Sequence, residues 1–156
     1  MTAIVRESKM REPHAAAPRE QIADTMIGLT RLSNSHRVIV AGSDSLELSL
    51  CLRQRGFVHV TTTAACRNPR RQHAVGLITS QGSLLTIEAA LTRISQFLTA
   101  SAAIAVLIDS RESGSSLKVR TRLQQMGFQI EAGVRCQQGL VLSAYRKGFV
   151  EMQNVA

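Results

Sequence analysis

Aromatic residues are nearly absent: the 156-residue chain has no Trp, one Tyr and four Phe. That weighs against the exposed ring platforms on which single-stranded nucleic acids stack their bases. Cysteine is scarce and unpaired. Cys51, Cys66 and Cys136 have no CxxC spacing, which argues against a disulfide framework or a zinc site. Cys51 among leucines and Cys136 in a strand pattern read as small buried hydrophobes. No apolar run approaches the roughly eighteen residues that span a bilayer, and the first twenty residues lack an apolar signal core. The expectation is a cytoplasmic protein with no membrane partner. His14, His36, His59 and His73 lack paired or i,i+4 spacing, so no metal site is expected. Nor is there a Gly-x-Ser-x-Gly elbow, an HExxH or a GxxxxGK-Ser/Thr phosphate loop, so hydrolase, metalloenzyme and NTPase readings have no support.

What is present is an ordinary globular balance, 44% apolar and 19% charged, in a length that suits one domain. The formal charge is +8, with sixteen Arg against three Lys. Long-range attraction to polyanions follows from that excess. The basic residues are dispersed, and the densest cluster is Arg67-Asn68-Pro69-Arg70-Arg71. Nucleic acid held through Arg67, Arg70 and Arg71 is therefore one candidate partner, against the plainer reading of a solvated surface.

Residues 1–17 mix charge, Pro13 and an Ala run, and read as a flexible N-terminal arm. A leading helix over 18–33 starts at Pro18 and carries Ile22, Met26, Leu29 and Leu32 on one stripe, for packing on a sheet or for a dimer contact. Residues 36–148 alternate between strand and helix patterns, and 149–156 form a tail. Strands are expected at 37–42, 57–62, 73–79, 103–109, 128–136 and 140–147, and helices at 45–55, 84–99 and 116–126. Asp44 and Glu47 suit a capping box at the start of helix 45–55, and Gly56 suits its left-handed stop. Leu-Arg-Gln-Arg-Gly-Phe (52–57) returns as Leu-Gln-Gln-Met-Gly-Phe (123–128), the same helix-to-strand turn used twice. The run 103–109 is nearly all apolar, as a parallel strand covered on both faces would be. Only Gln137-Gln138-Gly139 separates the last two strands, too few residues for a parallel crossover, so they form an antiparallel hairpin.

This order resembles the class I methyltransferase fold, whose enzymes use S-adenosylmethionine (SAM), over roughly residues 37–147. In that family the first strand ends in a GxGxG turn, an acid near the end of the second strand holds the ribose hydroxyls, and the sheet closes with an antiparallel hairpin. Here Gly42-Ser43-Asp44-Ser45-Leu46 aligns with the turn and keeps only its first glycine, and Thr61-Thr62 stands where the acid is expected. The link from Thr63 to Gln72 has no room for the family's third strand and its helix. The resemblance thus implies an α/β three-layer sandwich, a mostly parallel sheet of about six strands with a C-terminal antiparallel hairpin. It is a trimmed Rossmann-like topology.

By the same resemblance, Gly42, Ser43 and Asp44 would border the methionine part of SAM. Thr62 would lie near the ribose, and Thr79 and Ser80 near the reacting centre. No catalytic base stands out. Asp109, after a strand expected at the centre of the sheet, reads either as an acid in the crevice or as a turn cap or partner of Arg111. A response-regulator receiver is a poorer match, because Gly42-Ser43 and Thr79-Ser80 stand where its acids belong. The expected function is that of a degenerate methyltransferase-like domain, a non-catalytic binding or regulatory protein. The alternatives are a small SAM-binding methyltransferase and a basic nucleic-acid-associated protein. A homodimer or protein partner through an edge strand is a further expectation.

Overall fold

The computed structural model describes residues 17–67, 70–79, 83–109 and 114–146. The expected arm, apart from Ala17, and the expected tail lie outside these residues. Helix α1 (Ala17–Thr30) leads into β1 (Val38–Gly42), α2 (Ser45–Gln54), β2 (Val60–Thr62) and β3 (His73–Thr79). There follow α3 (Leu84–Ser95), β4 (Leu98–Asp109), α4 (Ser115–Gln125), β5 (Phe128–Cys136) and β6 (Gly139–Arg146). The six strands form one sheet in the order β2-β1-β3-β4-β6-β5. β2, β1, β3 and β4 run parallel, and β6 pairs antiparallel with both β4 and β5.

Side-chain alternation sends each strand into two cores. Val38 and Val40 of β1, Val75 and Leu77 of β3, and Ala105 and Leu107 of β4 pack with Ile22 and Met26 of α1 and Leu48 and Leu52 of α2. Their neighbours Ile39, Ile78, Ile104, Val106 and Ile108 pack with Ile87, Leu91 and Ile94 of α3 and Val119 and Leu123 of α4. The apolar stripe of α1 is thus spent on the sheet: Ile22 and Met26 are buried there, as is Leu32 just past the helix, which ends at Thr30 rather than 33. Gly56 and Gly127 take φ of 97° and 92° after α2 and α4, the repeated helix stop anticipated from the sequence.

Three local expectations are corrected. Helix α3 ends at Ser95, and β4 begins at Leu98 rather than 103. The small polar stretch Thr99–Ala102 hides the strand because it is bulged: between His73 and Val75 of β3, the partner residue on β4 jumps from Leu98 to Ala103. β2 starts at Val60 rather than 57, because the Phe57 N–H donates to Leu52 O and so belongs to the helix stop. His59 is consequently exposed ahead of the strand, not within it. Finally, Asp44 sits at the N-cap position of α2 without any side-chain capping bond, so no capping box forms.

At the amino end of the parallel strands, the α3–β4 junction is knitted by two side chains. Arg146 donates to the carbonyls of Ser95 (3.3 Å), Leu98 (3.0 Å) and Thr99 (3.2 Å), with its guanidinium 5.0 Å from the Phe128 ring centroid. His73 is buried, edge-on to Phe97, with Nδ1 3.2 Å from the Phe97 carbonyl. A carbonyl only accepts, so Nδ1 carries the proton.

Burial holds the His73 pKa below its ordinary 6.5; the Phe97 bond opposes that shift and the charge of Arg37 adds to it. Protonation therefore favours the unfolded chain. The contribution is whole above pH 6.5 and is lost as pH falls from there through the lower folded-state value. The urea midpoint should fall between about pH 7 and pH 5, and His73→Gln should flatten that slope.

Gly42 is required by packing. At φ 112° it lies against the end of β3, where an added Cβ would overlap the Thr79 carbonyl. Gly56 has a similar φ but open space around it. Gly42→Ala should cost about 3 kcal/mol or more, and Gly56→Ala about 1–2 kcal/mol, in urea unfolding.

Candidate functional site

In open α/β sheets the ligand crevice lies beyond the carboxyl ends of the strands. Here that position is a small pocket of about 40 Å³. Asp44, after β1, and Thr79, at the end of β3, line it together, and Leu107 of β4 forms part of its wall. Two of the six residues expected at the site, Asp44 and Thr79, are therefore brought together. Gly42 pairs with Thr79 across β1 and β3 and forms the seam beside them. Ser43 is exposed on the turn, and Ser80 lies outside the described residues.

Thr62 is placed elsewhere. It ends the edge strand β2, and its Oγ1 accepts the Ala65 N–H at 3.2 Å. Its carbonyl accepts the N–H groups of Ala65 and Cys66, so the residue closes a local turn. Asp109 is half-buried at the end of β4, opposite Gly139; its expected partner Arg111 lies outside the described residues.

The remaining walls come from positions that the sequence did not single out for the site. Arg19 and Ile22 of α1, Glu47, Leu48 and Cys51 of α2, and Gln138 of the hairpin turn close the pocket. Glu47 and Cys51 are four apart, so they share a helix face. That spacing is the only trace of the pair in the sequence. Nothing local marks Arg19 or Gln138, which arrive through the docking of α1 and the return of the hairpin. An ion pair fixes α1 on α2: Arg55 lies 3.2 Å from Asp24 and also donates to Cys51 Sγ at 3.5 Å.

Thr79 supplies the one unusual polar group. It is only 4% exposed, and among the described residues its Oγ1 has no hydrogen-bond partner.

No protein-family model matches the chain, and no curated protein matches it in sequence. Solved structures do match. One is the release factor-specific protein-(glutamine-N5) methyltransferase of Alicyclobacillus acidocaldarius, 15% identical, with a TM-score of 0.51 over 85% of this chain and 91% of that one. Another is the magnesium protoporphyrin IX methyltransferase of Synechocystis with bound SAM, 10% identical, with a TM-score of 0.58 over 84% and 81%. A third is the [4+2]-cyclase SpnF, 14% identical, with a TM-score of 0.58 over 83% and 81%. The fold is class I methyltransferase-like.

A methyltransferase-like fold implies SAM, so the residues present must be tested against it. Among the described residues they do not fit. Pockets for ligands of that size hold roughly 300–1,000 Å³, whereas this one of about 40 Å³ has room for only a few water molecules. Asp44 puts a carboxylate where close backbone approach is needed, and the Thr62 hydroxyl is already engaged. Among the described residues, no group of three His, Cys, Asp or Glu is placed to hold a metal.

A buried, unpartnered hydroxyl costs about 1–3 kcal/mol of desolvation, and an isosteric apolar replacement removes that cost. Thr79→Val should therefore leave urea stability unchanged or raise it by about 1 kcal/mol. A loss of more than about 1 kcal/mol would mean that the hydroxyl is satisfied within the pocket.

Proposed function

We propose that this chain is a non-catalytic methyltransferase-like domain, a binding or regulatory protein whose cofactor crevice is closed by its own side chains. The observation that carries this reading is the size of the pocket at the strand ends, about 40 Å³ between α1, α2 and the hairpin turn. The closure is built from the core between the sheet and α1–α2. Ile22 and Leu48 are buried residues of the α1–α2 face, and Leu107 comes from the middle of the sheet. Opening the crevice for a nucleoside would expose this apolar surface, at about 25 cal/mol for each Å². Among the matching structures, the [4+2]-cyclase SpnF is a fold neighbour that carries a name other than methyltransferase. The fold therefore does not by itself fix the reaction.

A second reading, weak SAM binding, draws on one observation: the Thr79 hydroxyl that no described residue satisfies. The two readings separate in a titration of isotope-labelled protein with SAM and with S-adenosylhomocysteine, followed by NMR. A closed crevice predicts no saturable shifts at Gly42–Leu46, Thr61–Thr63 or Thr79 up to millimolar ligand. Saturable shifts confined to those residues would overturn the proposal in favour of a cofactor-binding domain.

A further inference from the structure

Charge is segregated along the strand axis, and the segregation is visible only once the elements are placed. The parallel strands begin, and helices α1 to α4 end, at the face opposite the crevice. Arg37 precedes β1, Arg70 and Arg71 precede β3, Arg122 lies in the last turn of α4, and Arg146 ends the antiparallel β6. Contacts join most of them into one arc. Arg122 donates to Thr92 Oγ1 at 3.3 Å, in the last turn of α3. Arg146 bonds Ser95 at the end of the same helix, and its guanidinium feels the charge of Arg71. The Arg37 carbonyl accepts the N–H groups of Ala74 and Val75 at the start of β3.

Acids are elsewhere. Of the described carboxylates, Glu20, Asp44, Glu47 and Asp109 belong to the crevice half, and Glu88 lies in the second turn of α3. Asp24 is paired with Arg55 and Glu131 with Arg31. The hydrogen bonds donated by Arg122 and Arg146 go to a hydroxyl and to carbonyls, which are neutral groups, so the charge of the arc is not cancelled by them. Arg37, Arg70 and Arg71 are exposed.

We propose that this amino-end arc, built from Arg37, Arg70, Arg71, Arg122 and Arg146, binds the sugar-phosphate backbone of a nucleic-acid duplex. Guanidinium forks suit phosphate oxygens, and contacts to phosphate need no base readout. A duplex is favoured over a single strand because Tyr145 is the only large aromatic side chain exposed among the described residues, too few to stack successive bases. It is favoured over an anionic bilayer because the arc offers no cluster of apolar side chains to insert. The inference is independent of the cofactor question, since it uses the opposite end of the sheet.

The test is fluorescence anisotropy of the full chain with labelled 20-base-pair duplexes, one of DNA and one of RNA, at several salt concentrations. The matching single strands and phosphatidylserine vesicles serve as competitors. Binding of a duplex is expected, with log K falling linearly against log salt at a slope of about −3 to −5. The double charge reversal Arg70→Glu with Arg71→Glu should weaken it at least tenfold and flatten the slope by about two contacts. Lys118→Glu with Arg135→Glu makes the same change in net charge at the crevice end and should leave affinity within threefold. Thermal unfolding of both variants checks that each is folded. Equal losses in the two variants would reduce the effect to net charge and overturn the site. Absence of duplex binding at low salt, or stronger competition by single strands or vesicles than by duplex, would overturn it as well.

Discussion

The close approach of β1 to the end of β3 is the constraint on which the upper half of the molecule depends. Gly42 is paired with Thr79 at a position where any side chain would run into backbone. Because backbone cannot move aside as a flexible side chain can, the two strand ends are locked together. That lock sets where α2 begins and turns Asp44 toward the crevice instead of over its own helix terminus. The glycine that looks like the remnant of a cofactor turn is thus explained by strand packing alone.

From this lock the rest of the crevice closes by ordinary burial. α1 lies across the sheet with Ile22 and Met26 in the core, and its first turns bring Arg19 over the strand ends. α2 adds Leu48 below and Glu47 at the rim, and the tight hairpin delivers Gln138 from the other side. Each contribution is stabilising for reasons unrelated to any ligand. The sum fills a place that a dinucleotide-type fold otherwise leaves open. What remains is small and mostly apolar, with Thr79 among its lining residues.

The two ends of the sheet differ in electrostatics as well as in shape. Arginines near helix C-termini are favourable to the helices themselves, since cations offset the partial negative charge there. Local helix stability alone therefore accounts for some of the arc. It does not account for Arg37, Arg70 and Arg71, which sit in connections, or for the scarcity of carboxylates beside them. A field of one sign over a whole face acts on partners at a distance, falling off over about 8–10 Å at physiological salt.

The fold was legible because its signals are local. Alternation of apolar residues, Gly56 and Gly127 as repeated helix stops, and a three-residue link before the last strand together allow few sheets. The sequence by itself determined the alternation of strands and helices and the antiparallel hairpin, since each follows from segment type and connection length, whereas the strand order β2-β1-β3-β4-β6-β5 belongs to the fold. It misplaced the start of β4, where the polar bulge Thr99–Ala102 looks like the end of a helix, and it credited Asp44 with a cap it does not make. Only the tertiary structure decided which residues meet at the strand ends. Arg19, Cys51, Thr79 and Gln138 lie far apart along the chain, and packing free energy, not propensity, brings them together. The charge of +8 is a property of composition. Its gathering at the amino end of the sheet is a property of the fold, because distance between charges is set by where the elements stop and turn.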